Sequence, residues 1–189
     1  MSGAAESIYL IAHRGGVVEG LYHENGSEAL DAAVRRGYAA VEIDLRETND
    51  GRVVCYHDPS IASGFLRRRR ARDLSLEELR GAVGSWVLTL DEMLDRCRGR
   101  VDVMIDVKHD APGERFLQAI ADALGSRAML DSAMVIGSRE AKEFFVGDAA
   151  TAVSARHLVR GERGIDTIGD DEFVFGHGTE LDDALVAQL

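Results

Sequence analysis

The chain has 189 residues, of which 46% are hydrophobic and 29% are charged, as is ordinary for one folded domain with a substantial core. Its formal net charge is −11, which argues against a general nucleic-acid-binding protein, because such proteins need a basic face for the phosphate backbone. No apolar run approaches the roughly 20 residues of a membrane-spanning helix. We therefore expect a single domain over 1–189, with no nucleic-acid partner and no membrane span.

The two cysteines and the N-terminal residues indicate the cellular compartment in which the protein is expected. Cys55 and Cys97 form neither a metal-type spacing nor a disulfide framework, and residues 1–6 carry no basic or apolar signal-like segment. Both features are typical of a protein in a reducing compartment. A cytoplasmic location is the expectation.

The first predicted elements in chain order lead into polar residues. The apolar run 8–12 predicts a short buried strand of the parallel type, which ends at His13 and Arg14. A loop with Glu24 and Asn25 follows. Ser27 is then expected to cap a helix that ends at Gly37.

The stretch 38–58 predicts a strand, a turn and a second strand. Apolar and acidic residues alternate over 40–45, so Glu42 and Asp44 should share one face about 7 Å apart. Two converging carboxylates repel each other unless a proton or a cation lies between them. Hard oxygen ligands of this kind suit Mg²⁺ or Ca²⁺. The second strand ends beside His57, which brings an imidazole to a two-carboxylate cation site.

The rest of the chain alternates between strand and helix patterns. The run 67–72, with five arginines, is expected to be a solvated loop, the alternative being a lid that draws in anionic substrate. Ser75 and Thr89 are expected to cap two short helices. Further strands are predicted at 101–108, 133–137, 150–154 and 173–176, and further helices at 113–124, 138–145 and 181–189.

This alternation predicts an α/β fold with a largely parallel sheet. Polar residues gather at the ends of several strands, which favours a (β/α) barrel over an open sheet with one switch point. Asp106 and Lys108 lie two residues apart on one such strand. Three acids could then hold one divalent cation flanked by two imidazoles. Such a set suits phosphodiester cleavage, with Arg14 and Lys108 expected to contact the substrate phosphate.

Several motifs together resemble the glycerophosphodiester phosphodiesterase family, a group of phospholipase C-like phosphodiesterases. They are His13-Arg14-Gly15, Glu24-Asn25, Glu42-x-Asp44, Thr48-x-Asp50-Gly51, His57-Asp58-Pro59, the segment 88–94 and the Asp106-x-Lys108 strand. The resemblance implies a TIM-type barrel and one Mg²⁺ or Ca²⁺ ion. It implies His13 and His57 as acid and base, Glu42, Asp44 and Asp106 as metal ligands, and Glu24 and Asn25 as supporting residues.

The sequence departs from the family pattern at three points. His23 replaces a usual proline, and Asp106 replaces a usual glutamate; with Lys108, the latter also resembles the related sphingomyelinase D and phospholipase D-like toxins. The chain is also short, and the barrel is expected to lack its final strand and helix. Two exposed barrel edges could then be covered by another chain or pair in a homo-oligomer.

The expected function is metal-dependent hydrolysis of a small glycerophosphodiester to an alcohol and glycerol phosphate. One alternative is a phospholipase D-like lyase that releases a cyclic phosphate. Another is a barrel subunit that binds metal without catalysing a reaction. Intact His13 and His57 favour an enzyme, since a scaffold need not keep both an acid and a base.

Overall fold

The computed structural model describes residues 10–16, 22–63, 67–108, 112–145, 151–152, 154–157 and 172–175. Strands and helices alternate along most of this part of the chain. The strands are β1 (Ile11–Ala12), β2 (Ala40–Glu47), β3 (Val53–Cys55), β4 (Ser60–Ser63), β5 (Arg67–Arg70), β6 (Asp102–Val107), β7 (Met134–Gly137), β8 (Thr151–Ala152), β9 (Ser154–His157) and β10 (Glu172–Phe175). The helices are α1 (Ser27–Arg35), α2 (Leu76–Val83), α3 (Leu90–Cys97), α4 (Glu114–Gly125) and α5 (Arg139–Phe145).

Strand β2 of the main sheet pairs with three other strands. Strands β1 and β6 flank it in parallel, β7 pairs with β6, and β8 pairs with β7, all in parallel. Strand β3 folds back antiparallel onto the end of β2, with Leu45 opposite Cys55 and Glu47 opposite Val53. The predicted parallel α/β sheet with one hairpin is therefore confirmed.

The two faces of β2 have different environments. Val41, Ile43 and Leu45 are fully buried in the main hydrophobic cluster, which also contains Phe116 and Ile120 of α4. Successive strand residues point to opposite faces, so Glu42, Asp44 and Arg46 form a polar row on the other face. The apolar packing thus holds the strand that carries this row.

Helices α2 and α3 begin at the predicted caps. The Ser75 hydroxyl accepts a hydrogen bond from the Glu78 amide at 3.2 Å, and the Glu78 carboxylate accepts one from the Ser75 amide at 2.9 Å. Thr89 and Glu92 make the same reciprocal pair at 3.2 and 2.7 Å. Each capping box satisfies two amides that a helix terminus leaves without a partner.

The expectation that Ser27 caps α1 is wrong. Gly26 occupies the cap position with an extended backbone, and Ser27 is the first helical residue. A Cβ atom at Gly26 would lie 2.9 Å from the carbonyl oxygen of His23, so a side chain there would require the loop to shift. The close turn before α1 therefore selects a glycine at the cap.

The prediction of a loop over 67–72 is also wrong for its first four residues, which form strand β5. Strands β4 and β5 form an antiparallel hairpin with Ser60 opposite Arg70, followed by a short 3₁₀ turn at Ala71–Asp73. The buried side chains of Ile61 and Ala71 anchor this hairpin in a second hydrophobic cluster. The ladder satisfies backbone groups that a loop would leave to water.

The last elements are described only in part. The predicted strand 150–154 corresponds to β8 and the start of β9, and 173–176 corresponds to β10, which pairs with β9 in parallel. The predicted helix 181–189 lies outside the described residues. The expectation that the barrel lacks its final strand and helix stays a prediction. Among the helices that the structure describes, none is long and apolar enough to cross a bilayer.

Candidate active site

Three carboxylates converge where β2 and β6 run side by side. Asp44 lies directly opposite Asp106 in the parallel register, and Glu42 precedes Asp44 by two residues on the same face. One oxygen from each carboxylate lies within 4.8 Å of the other two. Glu42 and Asp44 are only 5% and 0% exposed, so water screens their repulsion poorly.

Lys108 supplies positive charge to this acid cluster (Glu42, Asp44 and Asp106). Its Nζ atom lies 3.1 Å from Asp44 Oδ1 and donates a hydrogen bond to Asp106. Burial lowers the pKa of Lys108, but the hydrogen bond and negative charge of Asp106, together with Asp44, raise it overall. The Lys108 ammonium is therefore charged at neutral pH and pairs directly with two of the three carboxylates.

The protonation and bonding of Glu42 indicate that the acid cluster can bind a further cation. Burial, and then the charge of Asp44, raises the pKa of Glu42 to about 8, although the Arg14 amide donates a hydrogen bond to its Oε2 at 2.8 Å. Its Oε1 atom is buried and has no hydrogen-bond partner among the described residues. An orphaned carboxylate oxygen within an all-oxygen donor set fits a hard divalent cation such as Mg²⁺ or Ca²⁺.

This raised pKa predicts an unusual pH dependence for the cation-free protein. Folded Glu42 binds a proton up to about pH 8, whereas an unfolded glutamate releases it near 4.5. The contribution of Glu42 to the free energy of unfolding is therefore fully present below 4.5 and is lost as the pH rises through 8. A bound divalent cation should displace this proton, so its affinity should rise by up to about tenfold per pH unit across this window.

Titration calorimetry in two buffers of different ionisation enthalpy measures the displaced proton. We expect about one proton released per ion at pH 6, and much less from Glu42→Gln. An affinity for Mg²⁺ and Ca²⁺ that does not change between about pH 5 and 8 would contradict this linkage.

Asn25 holds Asp44 in place from the loop before α1. Its amide Nδ2 donates to Asp44 Oδ2 at 2.8 Å, and its Oδ1 accepts from the Asp44 amide at 3.1 Å. Both residues are fully buried. The backbone of Asn25 has φ 57°, a left-handed conformation that asparagine adopts more readily than most residues.

Replacing Asn25 with alanine should lower the free energy of unfolding by about 2–4 kcal/mol, because it leaves two buried groups of Asp44 without partners and strains the left-handed backbone. Urea unfolding followed by circular dichroism measures this change. Asn25→Gly separates the two causes, since glycine keeps the backbone relaxed but removes both hydrogen bonds. Wild-type stability in Asn25→Gly would show that the bonds to Asp44 contribute nothing.

His13 and Arg14 follow β1 in a tight turn. Arg14, Gly15 and Gly16 all have positive φ values, of 51°, 74° and 92°. This turn places His13 Nε2 at 3.8 Å from Glu42 Oε2. Burial, and then the charge of Arg14, lowers the pKa of His13, so its imidazole is neutral at pH 7 and can accept a proton.

His57 is held between a cation and a carboxylate. Arg14 Nη2 lies 2.8 Å from His57 Nε2, while Nη1 of the same guanidinium donates to Glu24 at 2.8 Å. An arginine can only donate, so His57 Nε2 accepts this bond. The proton of the neutral ring is then on Nδ1, which lies 2.9 Å from Asp58 Oδ1. Asp58 thereby sets the tautomer of His57.

The structure brings together all nine residues that the sequence grouped, and it adds two more. The nine are His13, Arg14, Glu24, Asn25, Glu42, Asp44, His57, Asp106 and Lys108. Their chemical roles stay predictions. The additions are Asp58, whose motif was recognised without a role, and Arg46, which continues the alternation of Glu42 and Asp44 and could have been found from that spacing.

A comparison with known protein families matches the sequence that carries this site to a named group. Residues 13–153, which include every residue of the site, match the sequence profile of the glycerophosphoryl diester phosphodiesterase family. The chain belongs to this family. The resemblance noted in the sequence is therefore confirmed, and the family is one of phosphoric diester hydrolases.

Two curated relatives show how much of this chain aligns with other glycerophosphodiester phosphodiesterases. YhdW of Bacillus subtilis, provisionally assigned as a glycerophosphodiester phosphodiesterase, is 32% identical over 116 residues, which cover 53% of this chain and 45% of YhdW. A glycerophosphodiester phosphodiesterase of Bacillus altitudinis is 29% identical over 111 residues, or 52% of this chain and 44% of that protein. The chain thus aligns with less than half the length of these relatives.

A solved glycerophosphodiester phosphodiesterase structure supports the fold. The crystal structure from Agrobacterium tumefaciens superposes with a TM-score of 0.63 at 23% identity, covering 80% of this chain and 68% of that one. At this identity the likeness concerns the fold alone. The expected TIM-type barrel fold is confirmed, and the parallel strands of the main sheet are consistent with part of such a barrel.

Proposed function

We propose that this protein hydrolyses a small glycerophosphodiester to an alcohol and glycerol phosphate with the help of one divalent cation. The observation that carries the proposal is that His13 lies beside Glu42 of the three-carboxylate cluster, while Arg14, whose amide bonds to Glu42, connects His57 to the same site. Each group alone is common in proteins. Together they supply a base, an acid and a cation site within one small volume.

The cation would be held by Glu42, Asp44 and Asp106, and it would supply positive charge for the phosphate oxygens. The side chains of Arg14 and Lys108 add cationic donors beside the same acids. Phosphate competes well for a guanidinium, because charge-assisted hydrogen bonds to phosphate are stronger than a bond to a neutral ring nitrogen. Substrate binding should therefore draw Arg14 away from His57 and free His57 Nε2.

The two histidines then have complementary tasks. Neutral His13 accepts a proton from the attacking water as the new phosphorus–oxygen bond forms. His57, protonated at the freed Nε2 and held at Nδ1 by Asp58, gives a proton to the alkoxide as the old phosphorus–oxygen bond breaks. One proton is taken and one is given, so the pair of histidines is restored after they exchange protons with solvent.

The second candidate function is that of a lyase. It is favoured by Asp106, which stands where the family usually has glutamate and which bonds to Lys108. In this reaction the nucleophile is a neighbouring hydroxyl of the substrate instead of water. The product would be a stable cyclic phosphate.

Phosphorus-31 NMR distinguishes these outcomes. Purified protein is incubated with glycerophosphocholine or lysophosphatidylcholine in Mg²⁺, Ca²⁺ or EDTA, alongside His13→Ala. His23→Ala is a control, because His23 is an exposed imidazole that stacks on Trp86 outside the proposed machinery. The expected result is cation-dependent glycerol phosphate from glycerophosphocholine, or acylglycerol phosphate from lysophosphatidylcholine, lost only in His13→Ala. A persistent cyclic phosphate would favour the lyase, and no product from any phosphodiester would favour a non-catalytic barrel subunit.

The remaining expectations about the whole protein also stay predictions. They are the single-domain span 1–189, the cytoplasmic location and the homo-oligomer. Light scattering after size-exclusion chromatography measures the oligomeric state directly.

A further inference from the structure

Arg46 makes three hydrogen bonds to backbone at the edge of the site. Its Nε and Nη2 atoms donate to the carbonyl oxygen of His57 at 2.9 and 2.5 Å. Its Nη1 atom donates to the carbonyl oxygen of Lys108 at 2.7 Å. One half-buried guanidinium thus joins two positions of the candidate active site that lie on opposite sides of β2.

These two carbonyl groups need a donor, because they lie where the sheet ends. The last ladder bonds on either side of β2 run from the Tyr56 amide to Asp44 and from the Lys108 amide to Leu45, at 2.9 and 3.1 Å. Beyond these bonds the chain leaves the sheet on both sides. Among the described residues no backbone amide donates to His57 O or Lys108 O. A partly buried carbonyl without a donor is costly, and Arg46 supplies one to each.

The two carbonyls belong to residues with proposed roles in the reaction. The His57 ring bonds to Arg14 and Asp58, and the Lys108 ammonium contacts Asp44 and Asp106. We propose that Arg46 is a positioning residue that sets the separation between the His57 imidazole and the acid cluster. It does so by holding both chain ends against β2. Its kinetic consequence rests on the proposed function, whereas its structural consequence does not.

The geometry of the guanidinium makes this role specific. A planar fork can bond two carbonyls at once, whereas the ammonium of a lysine is a single point that cannot hold both in the same way. Because a misplacement of about 1 Å can cost about 100-fold in rate, Arg46→Lys should lower kcat by about 10- to 100-fold. KM and the Kd for Mg²⁺ should change by less than about threefold, because Arg46 binds neither the phosphate nor the cation.

The test combines a structural and a kinetic readout. Hydrogen exchange is followed by mass spectrometry in Arg46→Met and in Arg52→Met, a control at an exposed arginine of the same hairpin. We expect Arg46→Met to accelerate exchange in the peptides that contain Tyr56 and Lys108 while α4 stays protected. Unchanged exchange at either end would overturn the proposal.

Kinetics then separate positioning from general destabilisation. Guanidinium chloride at low millimolar concentration should restore part of the kcat of Arg46→Ala and leave Arg52→Ala unaffected. Full kcat in Arg46→Lys, or a uniform loss of Mg²⁺ binding and activity together, would contradict positioning. If the wild type turns over no phosphodiester, the proposed function fails, but the exchange result still decides whether Arg46 holds both strand ends.

Discussion

Replacing His13 or His57 with alanine should lower kcat for glycerophosphodiester hydrolysis by about 10²- to 10⁴-fold, the usual contribution of general acid–base catalysis. Neither imidazole lies in the hydrophobic clusters, so both variants should remain folded. Both should also bind Mg²⁺ or Ca²⁺ with near wild-type affinity, since the acid cluster is intact. Steady-state kinetics, with calorimetry of cation binding, measures these effects.

The leaving group distinguishes the two histidines. A p-nitrophenyl phosphodiester releases a weakly basic phenolate, which needs little protonation. The variant of the leaving-side histidine should therefore recover most of its activity on this substrate, whereas the variant of the attack-side histidine should not. We expect recovery in His57→Ala. Recovery in His13→Ala instead would reverse the two roles, and undiminished activity of both variants on glycerophosphocholine would contradict acid–base catalysis by this pair.

Replacing Asp44 with asparagine should lower turnover by a similarly large factor, because it weakens cation binding. Asp44 lies at the centre of the site, where it contacts Asn25 and Lys108 and lies between Glu42 and Asp106. Loss of its charge removes the carboxylate best placed to share a cation with both neighbours. The Kd for Mg²⁺ or Ca²⁺ should rise at least about 100-fold, and turnover should fall with it.

Measuring Tm distinguishes the loss of cation affinity in Asp44→Asn from misfolding of the variant. In the cation-free protein Asp44 repels Glu42 but attracts the Lys108 ammonium, so Asp44→Asn removes one unfavourable and one favourable charge interaction, and Tm measured without the cation gives their balance. Glu47→Gln is the matched control, because Glu47 lies on the same strand but on its opposite face. Cation affinity within twofold of wild type in Asp44→Asn would contradict the metal site. A loss of affinity in Glu47→Gln as well would point to a general charge effect.

Local rules account for the parts of the site that the sequence predicted. The grouping of Glu42 with Asp44 follows from the period of two along a strand, which holds in any sheet. The caps at Ser75 and Thr89 follow from hydroxyl and carboxylate groups three residues apart. These local rules did not predict Gly26 as the cap of α1, because its place there depends on the nearby carbonyl of His23.

The sequence by itself thus determined the α/β class, the polar row on β2 and, through its motifs, the family. Only the tertiary structure decided which distant residues meet. Asp106 faces Asp44 because apolar packing sets the register between β2 and β6, and His57 reaches the site because β3 turns back along β2. Arg46 joins His57 to Lys108, which lies 62 residues beyond Arg46 in the chain, because both carbonyls emerge at the edge of one sheet. Such pairings depend on strand register and on where the backbone leaves its ladder, and neither is encoded in local periodicity.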